Sequence, residues 1–116
     1  MARDPEIVVY WRPGCGFCSA LIHQLEANRV PHRRVNIWED LRGAATVRAA
    51  ARGNETVPTV AVGAVTLVNP GLDDVLAVAV TEVPEAVPDG WAPRPPGRLG
   101  AWIRSKLEGS SGSQRD

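Results

Sequence analysis

Apolar residues fall in short bursts along the chain, and their spacing changes from one burst to the next. Residues 6–11 carry the unbroken run Ile7-Val8-Val9-Tyr10-Trp11, which is β-rich and predicts a buried strand. Pro13-Gly14 breaks it. Phe17, Leu21 and Leu25 then recur every four residues with Ile22 alongside, so the spacing predicts a helix over 16–28 with that face in the core. Val30-Pro31 stops the helix, and His32 to Ile37 reads as a second strand.

Residues 40–52 return to helical spacing at Leu41, Ala44, Val47 and Ala51, and end in Gly53-Asn54, a good C-terminal stop. Two further apolar runs, Val57 to Val62 and Val65 to Val68, flank a one-residue break at Gly63 and predict a hairpin. Asn69-Pro70 reads as a helix cap followed by proline at the first helical position. Leu72, Val75, Leu76 and Ala79 supply the buried stripe of a last helix. The order is β-α-β-α-β-β-α. A helix between the first two strands implies a right-handed parallel crossover, and the tight hairpin is antiparallel. The expected fold is α/β, with a four-stranded mixed sheet and helices on both faces.

After Val83 the character of the chain changes. Five prolines (Pro84, Pro88, Pro93, Pro95 and Pro96) fall within 84–97, which reads as an extended linker or a strap over the domain. Residues 98–108, RLGAWIRSKLE, show helical spacing at Leu99, Trp102, Ile103 and Leu107, and 109–116, GSSGSQRD, read as disordered. Residues 1–83 thus form the single folded domain and the rest a C-terminal extension, with no internal repeat.

Composition narrows the function. In 116 residues, 44% apolar, Lys plus Arg equals Asp plus Glu at 13 each, so no basic excess argues for nucleic acid. The basic residues are twelve arginines and Lys106, a usage that suggests a GC-rich genome. MARDPE at the N-terminus carries charges where a signal peptide needs an apolar stretch. No apolar run approaches the ~18 residues of a membrane span. The expected compartment is the reducing cytoplasm, where a close cysteine pair is more often catalytic or metal-binding than a permanent disulfide.

The chain has two cysteines, Cys15 and Cys18, in the sequence Arg12-Pro13-Gly14-Cys15-Gly16-Phe17-Cys18. Cys15 falls at the predicted strand-to-helix turn and Cys18 in the first helical turn. Unpaired N–H groups and the positive end of the helix dipole favour thiolate there. A guanidinium at Arg12 would lower the pKa further. Cys15 is then the exposed nucleophile and Cys18 the more buried resolving thiol, with Gly14 and Gly16 leaving room for a substrate to approach. A zinc site lacks its second ligand pair, since His23 and His32 lie on different elements. A structural dithiol fits poorly with so reactive a position.

Pro58 opens the third strand, beside the start of the first helix. A cis Val57–Pro58 bond would turn the Val57 backbone groups toward Cys15, where they could pair with a substrate like an added strand. A proline that simply opens a strand is the alternative. Asp73 and Asp74 suit the start of the last helix on dipole grounds, or a ligand. His23 reads as a surface helix residue. Trp38 reads as a packed edge or part of a binding rim.

Taken together, Cys15-Gly16-Phe17-Cys18, Thr56-Val57-Pro58 and Asp73-Asp74 resemble the glutaredoxins, a family of the thioredoxin fold, over residues 6–82. Within it, Gly53-Asn54-Glu55-Thr56-Val57-Pro58-Thr59 and Leu67-Val68-Asn69-Pro70 are similar to the actinobacterial mycoredoxins and mycoredoxin-like proteins. The resemblance implies a thiol–disulfide oxidoreductase acting on mixed disulfides between proteins and a low-molecular-weight thiol. It assigns Cys15 as nucleophile, Cys18 as resolving cysteine, Val57 and Pro58 as the substrate backbone contact, and Asp73 and Asp74 as a thiol contact. Arg12, Gly14, Gly16 and Phe17 complete the expected substrate site. The reductant would be mycothiol or glutathione as co-substrate, with a reductase system behind it, no tightly bound cofactor and no metal. A monomer is expected. Three rivals remain at this point: a [2Fe–2S] carrier, suggested by the one-atom difference from Cys-Gly-Phe-Ser, a thioredoxin-like general reductant, and a binding module. The last would act through Trp102, Ile103 and Leu107 beside Arg98, Arg104 and Lys106, on a partner or a membrane surface.

Overall fold

The computed structural model describes residues 6–93. Its elements are β1 (Ile7–Trp11), α1 (Gly16–Ala27), β2 (Arg33–Asn36), α2 (Leu41–Ala50), β3 (Thr59–Val62), β4 (Val65–Val68) and α3 (Leu72–Glu82). The sheet order is β2-β1-β3-β4. β1 runs parallel to β2, with Val9 opposite Arg34, and antiparallel to β3, with Val9 opposite Val60. The α/β architecture with a mixed four-stranded sheet is as the hydrophobic pattern predicts.

Alternation along β1 divides the interior. Ile7 and Val9 point into the main core with Val60 and Val62 of β3, Leu21 and Leu25 of α1, and Val75, Leu76 and Ala79 of α3. Tyr10 faces the other way, onto a small cluster of Ile37, Ala44 and Val47 beneath α2, which Val57 joins. Helices therefore cover both faces, α1 and α3 on one and α2 on the other.

Two side chains expected inside are outside. Phe17 is 73% exposed and Leu41 is 88% exposed. In α1 the first-turn position that faces the core is taken by Cys18, in line with Leu21 and Leu25, and Phe17 is rotated about 100° away from it. In α2 the buried residues are Gly43, Ala44 and Val47. A Cβ on Gly43 would meet Val35 Cγ1 at 2.7 Å, so the helix rests its bare glycine on the sheet and turns Leu41 out.

The last helix also begins later than Asn69-Pro70 suggests. Its N-cap is Gly71, whose N–H donates to Asp74 Oδ2 at 2.9 Å. Asn69 instead takes a left-handed φ of 54° and donates its N–H to the Pro58 carbonyl at 2.7 Å. The hairpin loop holds two residues, Gly63 and Ala64, because Val62 pairs directly with Val65. Gly63 has φ +59°, and a Cβ there would lie 2.8 Å from Glu82 Cβ. Glu82 closes the loop by accepting the Ala64 N–H at 3.0 Å. Gly63→Ala is expected to cost about 1–2 kcal/mol, the price of a left-handed conformation with a side chain; a urea midpoint unchanged from the parent would contradict this.

Beyond α3 the chain makes a 3-10 turn at Pro84–Ala86 that buries Ala86, and Val87 and Trp91 pack against the main core. The end of the proline-rich stretch, 94–97, the helix expected over 98–108 and the tail 109–116 lie outside the described residues, as do Arg98, Leu99, Trp102, Ile103, Arg104, Lys106 and Leu107. No helix among the described residues is long and apolar enough to cross a membrane.

Candidate active site

β1 ends at Trp11, and Pro13-Gly14 turns the chain so that Cys15 becomes the N-cap of α1. Gly14 makes that turn with φ +79°, a conformation that disfavours any side chain. Cys15 has extended backbone angles, and its Sγ accepts the Cys18 N–H at 3.1 Å, the capping role usually played by serine or aspartate. One of the helix's four orphan donors is thereby spent on a sulfur.

Cys15 and Cys18 are joined as a disulfide, with Cα atoms 5.2 Å apart. Cys15 is the less buried of the two, at 8% against 1%, but it is not the exposed residue the spacing suggests. The loop before β3 covers it: Cys15 Sγ lies 3.7 Å from the Val57 carbonyl oxygen. The Val57–Pro58 bond is cis. That loop is held from both ends. The Thr59 hydroxyl, fully buried, donates to the Thr56 carbonyl at 2.8 Å, and Pro58 O receives the Asn69 N–H. The Val57 N–H has no hydrogen-bond partner among the described residues, although Val57 is half-buried beside the sulfur. A strand or a peptide-like ligand would satisfy it.

The remaining predicted residues divide into two groups. Arg12, Gly14, Gly16 and Phe17 stand around the mouth. The Arg12 guanidinium donates to the Pro13 carbonyl at 3.1 Å and lies over the Trp38 ring, 5.9 Å from its centroid. Its Nη1 is 3.8 Å from where a Gly14 Cβ would stand. Gly16 borders open space, with nothing within 4 Å of a Cβ built on it. Asp73 and Asp74 sit in the first turn of α3. Asp74 is committed to its own helix through Gly71, the structural role that stood as the alternative to ligand binding.

Trp38, undecided from sequence, is a rim residue: 63% exposed, held by its N–H bond to Asn36 Oδ1 and by Arg12. Leu41 is the residue whose exposure sequence reasoning missed. The signal was present in Asp40, the N-cap of α2, whose carboxylate accepts the Gly43 N–H at 2.8 Å. That cap marks Leu41 as the first helical residue, two positions before the glycine that seats the helix. Among the described residues no group of three His, Cys, Asp or Glu side chains converges as a metal site would require.

The sequence pattern that defines the Glutaredoxin family matches residues 7–66, from β1 into β4. Two Mycobacterium tuberculosis sequences, from strains CDC 1551 / Oshkosh and H37Rv, each named "Putative glutaredoxin", are 40% identical over 76 residues. That alignment spans 64% of this chain and 89% of theirs. The crystal structure of a buckwheat glutaredoxin–glutathione complex is similar in fold, with a TM-score of 0.52 and 22% identity over 72% of this chain and 82% of that one.

Proposed function

The chain belongs to the glutaredoxin family, and from that premise we propose that it reduces mixed disulfides between proteins and a low-molecular-weight thiol, mycothiol before glutathione. The observation that carries the reading is the seat of Cys15 Sγ, at the N-cap of α1 and within 3.1 Å of the Cys18 N–H. In the reduced protein that N–H would donate to a charged sulfur, and the helix dipole adds to it; both lower a thiol pKa. The preference for mycothiol rests on the resemblance of Gly53–Thr59 and Leu67–Pro70 to mycoredoxins, and the mycobacterial relatives support it.

The steps follow from thiol–disulfide exchange. The Cys15 thiolate attacks the thiol-side sulfur of a protein–S–S–R bond. A Cys15–S–S–R bond forms, and the protein leaves as a thiolate that takes a proton from solvent. Cys18 then attacks Cys15 Sγ, expelling R–S⁻ and closing the Cys15–Cys18 disulfide, the oxidised state of the structure. Alternatively, a second thiol attacks the R sulfur, frees Cys15 and leaves as R–S–S–R. Either product requires a reductase system to return two electrons. The unpaired Val57 N–H would hold the backbone of the incoming group, while Asp73, with Asp74 beside it, would meet the polar groups of the thiol. Such a cycle belongs in a reducing compartment, the cytoplasm.

Intact mass spectrometry of the Cys18→Ser variant, incubated separately with mycothiol disulfide and glutathione disulfide, tests this. Without Cys18 an adduct on Cys15 is expected to accumulate, faster with mycothiol. Equal adducts would reduce the reading to a general glutaredoxin, and no adduct on folded protein would end the low-molecular-weight thiol mechanism.

A further inference from the structure

We propose that Thr59 is a positioning residue for the incoming thiol. Its buried hydroxyl sets the direction in which Val57 presents its N–H beside Cys15, and so sets the affinity for disulfides that carry a peptide-like amide. The inference rests on the function proposed above and adds to it a residue that acts only through the Val57 backbone.

Among the described residues, Thr59 is the one polar side chain that is buried. It lies in β3 opposite Tyr10 of β1 and Val68 of β4, so its backbone is fixed inside the sheet. Opposite residues of an antiparallel pair share a face, which puts Thr59 on the side of Tyr10 and its small apolar cluster. Valine has the same shape, and β3 uses it at Val60 and Val62. A hydroxyl in such a place costs stability unless it is hydrogen-bonded, and this one donates to the Thr56 carbonyl at 2.8 Å.

The Thr56 carbonyl and the Val57 N–H are two ends of one peptide group. That group is planar and trans, so its oxygen and its hydrogen point in opposite directions. Drawing the oxygen onto a buried hydroxyl turns the N–H the other way, out of the interior. The Val57 N–H is the donor left without a partner among the described residues.

The neighbouring carbonyls complete the arrangement. Pro58 O accepts the Asn69 N–H at 2.7 Å, and Val57 O lies 3.7 Å from Cys15 Sγ. Of three successive carbonyls, the outer two are held and the middle one stands at the sulfur. A thiol whose sulfur meets Cys15 therefore finds a backbone donor whose aim is set before it arrives. Without the hydroxyl the Thr56–Val57 group is free to turn about its flanking bonds, and binding must then fix it.

The test follows a single turnover of the full chain, reduced, with mycothiol disulfide, with glutathione disulfide, and with bis(hydroxyethyl) disulfide. The first two carry amides near the sulfur and the last carries none. Thr59→Val keeps shape and burial and removes the hydroxyl, whereas Thr59→Ser keeps the hydroxyl. Thr59→Val is expected to raise the half-saturating concentration of the amide-bearing disulfides by about three- to tenfold, the scale of one hydrogen bond. The maximal rate, and the rate with bis(hydroxyethyl) disulfide, should stay within about twofold of the parent, since only ground-state binding is touched. Thr59→Ser is expected to bring the half-saturating concentration back to within about twofold of the parent on the same scale. Amide-bearing disulfides that bind Thr59→Val as they bind the parent overturn the inference alone. Equal slowing of every disulfide, loss of the fold, or no rescue by serine makes the hydroxyl structural and also overturns it. A parent that reacts with neither mycothiol nor glutathione disulfide overturns the proposed function itself, and the inference with it.

Discussion

Cys15→Ser is expected to lower the release of thiol from every disulfide substrate by at least about a thousandfold, the scale of removing a covalent nucleophile. The reason lies in the position as much as in the element. Cys15 Sγ is the sulfur that caps α1, so its thiolate gains the Cys18 N–H and the dipole, whereas Cys18 is one turn inside the helix and 1% exposed. Serine at 15 would keep the cap and the fold, and its hydroxyl would not ionise near neutral pH. Cys18→Ser should behave differently. It leaves the attacking thiolate intact and removes only resolution, so mixed disulfides with a small thiol are still reduced while the dithiol route is lost. Thiol release followed for both variants separates the roles, and an active Cys15→Ser protein would mean that Cys18 is the attacking sulfur.

Leu25→Ala carries the largest expected loss of stability, about 2–5 kcal/mol, since it removes a fully buried side chain from the centre of the main core. Domains of this size are stable by only about 5–15 kcal/mol in total. The corresponding fall in Tm is roughly 10–40 °C. Leu41→Ala is the control, the same truncation at a residue 88% exposed, with an expected change within about 0.5 kcal/mol. Matching melts for the two would mean that α1 is not seated as described.

Those two leucines also mark where the sequence could be read and where it could not. Leu25 sits in a stripe of large side chains, and such a stripe announces its buried face by periodicity alone. α2 is seated instead by Gly43, a residue with no side chain to count, so periodicity assigned burial to the largest residue within reach. Phe17 was misplaced for a related reason: Cys18, counted as chemistry, also serves as core. The parallel β1–β2 crossover and the antiparallel hairpin followed from the connections, whereas the sheet order, with β1 between β2 and β3, came only from the structure. The Cys15–Val57 approach was legible as a possibility, because a proline opening the third strand must lie near the start of α1. The lock on that loop was not legible, for it depends on the Thr59 hydroxyl and on Asn69 leaving the role of helix cap to Gly71.

The two faces of the sheet are filled unequally, with twelve buried residues in the cluster under α1 and α3 and three in the one under α2. The redox chemistry is rooted in the thick side through Cys18, Leu21 and Leu25. The exposed Trp38 and Leu41 stand on the thin side, on and before a helix seated by Gly43, Ala44 and Val47. Divergence among descendants of such a chain can therefore proceed at two speeds. Changes to the exposed side chains of α2 and the loop before it come at small cost in folding, while the seat of the disulfide is passed on unaltered.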